Sequence, residues 1–155
     1  MNWQNPAFDQ ARGVIFVPAE ESSSVFTKAA PGEMVDTRNG MYVGSSWSET
    51  DPAINEVVAL DGATGQRRWQ HTTPTTTSND GGHSSASYAG LLSTSTGLVF
   101  GASGGVLFAL DADSGREIWR LPLGGTTKSP PISFTIDGHQ VIAVSAGRAL
   151  FVLGL

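Results

Sequence analysis

Short apolar runs separated by turn residues set the pattern of this chain. Val57-Val58-Ala59-Leu60 and Val106-Leu107-Phe108-Ala109-Leu110 have the length of buried strands and are too short for helices. Each ends at an Asp, Asp61 or Asp111, whose carboxylate can accept backbone N–H groups in a turn. Gly65 and Gly115 then supply the positive φ that a tight reversal needs. A second strand follows in each case, Gln66 to His71 and Arg116 to Leu121, with Trp69 or Trp119 on one face. The pattern therefore predicts two hairpins, each closed by an indole.

The two hairpins are copies of one unit. Ala59 to Trp69 aligns without gaps on Ala109 to Trp119 at a spacing of 50 residues, with five of eleven positions identical and Thr64/Ser114 a conservative sixth. Another hairpin precedes each copy. Ala7-Phe8-Asp9 turns through Gln10 to Gly13 into Val14-Ile15-Phe16-Val17, and Tyr88 to Thr94 turns through Ser95-Thr96-Gly97 into Leu98-Val99-Phe100-Gly101. A third copy runs from Pro131-Ile132-Ser133-Phe134-Thr135 through Asp137-Gly138 to Val141-Ile142-Ala143-Val144 and Ala149 to Leu153, with no Asp-turn-Gly-Trp unit after it.

A four-stranded unit of this length is a propeller blade. The expected fold is all-β: an incomplete β-propeller with two complete four-stranded blades and a three-stranded partial blade. The boundaries predicted are a first blade at 1–71 with an insertion at about 19–55, a connecting loop at 72–87, a second blade at 88–123 and the partial blade at 124–155. Within the insertion, Pro31-Gly32, Asn39-Gly40 and Asp51-Pro52 are turn signals.

Composition narrows the functional classes. Ser and Thr together number 31 against 9 Lys and Arg, a polar, lightly charged mixture suited to sheets. The net charge of −5, without a basic run, makes nucleic acid a poor partner. No apolar run is long enough to cross a bilayer, and the first residues lack the basic and apolar regions of a signal peptide. The absence of Cys excludes disulfides, thiolate metal sites and a Cys nucleophile.

The Ala-x-Asp-x-x-(Thr/Ser)-Gly-x-x-x-Trp unit resembles the tryptophan-docking motif of the quinoprotein dehydrogenases, eight-bladed propellers that use pyrroloquinoline quinone (PQQ). Asn2-Trp3 with Pro6 and Gly13 to Pro18 is similar to the segment entering one of their late blades. Tyr88 to Thr94 with Gly97 to Gly101 looks like their last complete blade. Leu123-Gly124-Gly125, Ser129 to Ile132 and Asp137 to Gly147 look like their C-terminal segment. The resemblance covers the chain apart from the insertion.

It implies a C-terminal portion of a periplasmic or secreted alcohol or sugar dehydrogenase, in which PQQ lies in the central funnel with a Ca²⁺ or lanthanide ion. It implies that Asn2 and Trp3 contact the quinone, since an amide can donate to a quinone oxygen and an indole can line an apolar pocket. Where many members carry a Trp before the last complete blade, this chain has Ser87-Tyr88-Ala89-Gly90, so that contact is absent or altered. The general base and metal ligands of the family lie in blades this chain does not contain. No catalytic or metal-binding residue is therefore expected here, and the chain alone is expected to be inactive and to bind no cofactor.

By the same resemblance Trp69 and Trp119 pack between blades, and Asp61, Gly65, Asp111 and Gly115 shape the turns. His71, His83 and His139 show no metal-ligand spacing and are expected at the surface. Arg67-Arg68 reads as a solvated strand face, and Gly101 to Gly105 as a tight turn between strands. The partners implied are the remaining blades of a larger propeller. Two further readings stay open: a non-catalytic scaffold propeller with the same repeat, and a small β module that self-associates through the unpaired edge of its last blade.

Overall fold

The structure is a computed structural model that describes residues 4–28, 30, 45–49, 54–73 and 89–154. Asn2, Trp3, His83, Tyr88, most of the connecting loop and the three turn signals of the insertion lie outside them.

All regular elements of the described residues are strands, in three antiparallel sheets and a separate ribbon. The first sheet holds β1 (Ala7–Asp9), β2 (Val14–Glu21), β5 (Ile54–Asp61) and β6 (Arg67–Thr72) in the order β1-β2-β5-β6. The second holds β7 (Leu91–Ser93), β8 (Leu98–Ser103), β9 (Val106–Asp111) and β10 (Glu117–Pro122), each beside its sequence neighbour. The third holds β11 (Ile132–Ile136), β12 (His139–Ala146) and β13 (Ala149–Gly154). Between β2 and β5, β3 (Ser24–Lys28) and β4 (Ser45–Glu49) form a ribbon of their own.

Side-chain alternation explains how the sheets stack. In the first sheet Val14, Phe16, Val57 and Ala59 share a face and pack with Leu91, Val99, Phe108 and Leu110 of the second. The opposite face of the second sheet supplies Ala102 and Leu107 to a core shared with Val144 and Ala146 of the third. Strands β8 and β9 are thus covered on both sides, which is why the stretch from Val106 to Leu110 is apolar without alternation. Gly101 admits this packing, because a Cβ there would lie 2.5 Å from Cζ of Phe108.

The turn expected over 101–105 narrows to two residues, since Gly101 to Ser103 continue β8. Gly104-Gly105 joins β8 to β9, and Asp137-Gly138 joins β11 to β12; all four residues have positive φ, as a two-residue hairpin of primed type requires.

The insertion differs from its predicted bounds. Strand β2 runs on to Glu21, which pairs with Ile54 at the start of β5, so the excursion leaves the sheet later and returns earlier than 19–55. It also carries its own ribbon, in which Phe26 pairs with Trp47. On β3, the Phe26 side chain is 71% exposed.

The topology gives the stack two distinct ends. The β1–β2 and β5–β6 turns meet at one end, where the Gly62 N–H donates to the Gly13 carbonyl at 2.8 Å. The excursion and the connection to the next sheet leave from the other. The chain also enters β1 at that second end, where the Asn5 carbonyl accepts the N–H of Leu91 at 2.9 Å.

Candidate functional site

The Asp-turn-Gly-Trp units build the joint between the first two sheets. Asp61 shapes the first turn. Its Oδ1 accepts the N–H groups of Ala63 at 3.1 Å and Thr64 at 2.9 Å and the Thr64 hydroxyl at 2.9 Å. Its Oδ2 accepts from Arg68 at 2.6 Å. The Arg68 guanidinium, followed by the Thr64 donors, holds the Asp61 carboxyl well below the usual carboxylate range. Asp111 repeats the arrangement, accepting the Ser114 hydroxyl at 2.6 Å and the Ser114 N–H at 2.8 Å. These two bonds, hydroxyl first, lower its carboxyl as well.

Trp69 docks forward onto the second of these turns. Its Nε1–H donates to the Ala112 carbonyl at 3.0 Å, and its ring lies over Gly115. A Cβ on Gly115 would lie 2.6 Å from Cε3 of Trp69, so the seat exists because residue 115 has no side chain. Behind it, the Phe16 and Trp69 ring centroids are 5.5 Å apart with planes tilted 32°.

Arg12 makes a second joint across the same seam. From the β1–β2 turn its guanidinium bonds Asp9 at 3.0 Å and Asp113 of the docked turn at 3.1 Å. Asp9 is almost fully buried. Burial opposes its ionisation, but the Arg12 N–H and guanidinium outweigh that cost and hold its carboxyl below the ordinary value.

The counterparts of this seat, Gly65 and Trp119, are unfilled among the described residues. A Cβ on Gly65 would meet nothing within 4 Å, so no described residue sits over Gly65 as Trp69 sits over Gly115. Trp119 departs from the packed position expected of it. It is 41% exposed and rims a crevice of about 270 Å³ with Ile118, Ile142 and Leu153, because no glycine turn follows β13 among the described residues. β13 itself is the outer strand of its sheet.

His71 is not the surface group that the sequence suggests. Its side chain is 19% exposed and faces Glu117 of β10 across the seam. Of the Arg67-Arg68 pair, Arg67 is exposed and bonds Gln70, whereas Arg68 is bound to Asp61. Arg12 has a local partner in Asp9, but neither its bond to Asp113 nor the placement of His71 was marked by a neighbour in sequence. Their partners across the seam lie 101 and 46 residues away, beyond any local motif.

Among the described residues no group of three or more His, Asp or Glu side chains converges as a metal site. The guanidinium groups of Arg12, Arg68 and Arg120 are each engaged by carboxylates of the chain. The described residues alone do not fit the set of ligands that PQQ and its ion require. Asn2 and Trp3, to which the resemblance assigns the quinone contact, precede the point where Asn5 lies on β7.

A sequence model of the PQQ_2 family, described as outer membrane protein assembly factor BamB, matches residues 53–153. The chain belongs to this PQQ-repeat family. Among curated relatives, the quinoprotein ethanol dehydrogenase of Pseudomonas aeruginosa is 29% identical over 150 residues, which is 94% of this chain and 22% of that protein. The 1-butanol dehydrogenase (quinone) of Thauera butanivorans is 42% identical over 60 residues, 38% of this chain and 10% of that protein. The chain thus spans about a fifth of the length of the first of these.

Solved structures agree on the fold. The quinohemoprotein alcohol dehydrogenase of Comamonas testosteroni superposes with a TM-score of 0.73 at 20% identity, covering 96% of this chain and 22% of that one. A europium-containing methanol dehydrogenase does so with a TM-score of 0.73 at 23% identity, covering 97% and 24%. The three sheets are therefore successive propeller blades, two of four strands and one of three, as the repeat predicted. No helix among the described residues is long and apolar enough to cross a membrane.

Proposed function

We propose that this chain forms consecutive blades in the wall of a PQQ-dependent alcohol dehydrogenase, works with the remaining blades of that propeller in the periplasm, and is inactive alone. The observation that supports the reading is coverage: the quinoprotein ethanol dehydrogenase matches nearly the whole chain while the chain matches 22% of it. In this reading PQQ, when bound with a Ca²⁺ or lanthanide ion, supplies the hydride acceptor, and the ion's ligands come from other blades. The part of this chain is to line the pocket through Asn2 and Trp3. Its docked blades hold that wall in place.

A chimera tests this. The matching segment of the P. aeruginosa enzyme is replaced by this chain, and PQQ-dependent dye reduction with ethanol is measured. The chimera is expected to be active, and Asn2→Ala and Trp3→Ala to weaken its PQQ binding. A folded chimera whose PQQ affinity ignores both substitutions would remove the assigned contact. Sustained PQQ-dependent turnover by the 155-residue chain itself would overturn its inactivity.

The description of the matching family model, an outer-membrane assembly factor, favours a second reading in which the blades belong to a non-catalytic scaffold. A chimera that folds without binding PQQ would support it.

A further inference from the structure

We propose that Asp137-Gly138, the turn between β11 and β12, is a site of spontaneous covalent modification at which the folded protein converts aspartate to isoaspartate. Asp137 is the only non-glycine residue with positive φ among the described residues, at +48°, and Gly138 follows at +81°. Ile136 pairs with His139 on either side of them, so the two residues form a type I′ turn. Both are exposed, and a Cβ on Gly138 would meet nothing within 4 Å. No described residue bonds the Asp137 carboxylate, and the Gly138 N–H stands outside the strand ladder. Electrophile and nucleophile thus sit side by side, both unengaged.

The step needs water alone. The Gly138 nitrogen attacks Cγ of Asp137, a C–N bond forms and a C–O bond breaks. One water leaves, made of a carboxyl oxygen, the amide proton and a proton from the carboxyl group or solvent. Water then reopens the cyclic imide at either carbonyl, which returns aspartate or routes the backbone through Cβ as isoaspartate. A flip of the central peptide from type I′ to type II′ carries ψ of Asp137 from about +30° to about −120° and turns the nitrogen toward the side chain. Gly138 accepts φ of either sign, so the flip leaves the pairing of Ile136 with His139 in place. The chain supplies its own contrast. At Asp61-Gly62 the carboxylate is held by Arg68 and Thr64, and the Gly62 N–H is bonded to Gly13. At Asp113-Ser114 the carboxylate is held by Arg12 and the Ser114 N–H by Asp111.

Isoaspartate adds a backbone atom to a two-residue turn, so Ile136 and His139 no longer face each other, and β11 is an edge strand held by β12. The folded 155-residue protein is aged at physiological temperature and digested. Isoaspartate is located by labelling with an isoaspartyl O-methyltransferase and S-adenosylmethionine and by fragmentation of the labelled peptides, which separates residue 137 from Asn39-Gly40 and Asp80-Gly81. Label is expected at 137 and at least about 10-fold less at 61, where closure must first break a backbone bond and an ion pair. In urea the two sites are expected to react alike. Asp137→Asn, which keeps the turn, is expected to gain mass at residue 137 as ammonia leaves and water enters. In the aged fraction the amides of β11 are expected to exchange hydrogen faster. Equal label at 61 and 137 in the folded protein, or an Asp137→Asn variant that keeps its amide, would overturn the proposal. Unchanged exchange on β11 would overturn its effect on pairing.

Discussion

Adding one methyl group at Gly115 should separate the first two blades, and the structure says by how much. Gly115 has φ +71°, and Gly65, its counterpart, has φ +72°. An alanine at either position meets the left-handed backbone cost, about 1–2 kcal/mol. At Gly65 nothing lies within 4 Å of the added Cβ, so the cost ends there. At Gly115 the methyl lies 2.6 Å from Trp69 Cε3 and 2.7 Å from Cδ2, and the indole must lift off. Lifting it breaks the bond to Ala112, about 1 kcal/mol, and exposes part of a large apolar surface, about 1–2 kcal/mol.

The expected losses are therefore about 1–2 kcal/mol for Gly65→Ala and about 3–5 kcal/mol for Gly115→Ala. Urea unfolding followed by tryptophan fluorescence measures both, with Trp69→Phe identifying the signal of the docked ring. Only Gly115→Ala should shift emission to the red in the folded baseline. Equal losses in the two alanine variants would refute the seat, since backbone strain is all they share.

Other outcomes follow from the same joint. Trp69→Ala should cost about 3 kcal/mol in urea unfolding, whereas Trp119→Ala, already 41% exposed, should cost about 1 kcal/mol. Arg12→Ala leaves the buried Asp9 without its partner and should lower the urea midpoint more than Arg116→Ala. Asp9, Asp61 and Asp111 all have lowered carboxyls, so the stability they contribute is full above the ordinary carboxylate range and is lost as pH falls through their native values. Unfolding midpoints between pH 5 and pH 2 should decline, and less steeply in Asp61→Asn than in the wild type.

The blades were legible because their determinants are local. Short apolar runs mark β2, β5 and β9, and an Asp three residues before a Thr or Ser marks each turn. The joint was only half legible. Trp69 and Trp119 look alike in sequence, yet one is seated and the other exposed, since the seat is a glycine turn contributed by the next blade. Arg12 and His71 act across the seam on residues distant in the chain, and no spacing rule reaches that far. The ribbon of β3 and β4 was hidden because Ser24–Lys28 and Ser45–Glu49 are short and largely polar, without the apolar runs that marked the blade strands.

The docking of Trp69 gives the stack an arrow. The joint between the first two blades pairs an indole on one with a glycine turn on the next, so the two faces that meet there are complementary to each other but not to themselves. A two-fold dimer would set indole against indole or seat against seat, and neither reproduces the joint. Contacts that do reproduce it are heterologous, adding blades with one sense of rotation until a ring closes or a filament grows. Whatever extends the stack in that manner must offer a glycine turn to Trp119 and an indole to Gly65.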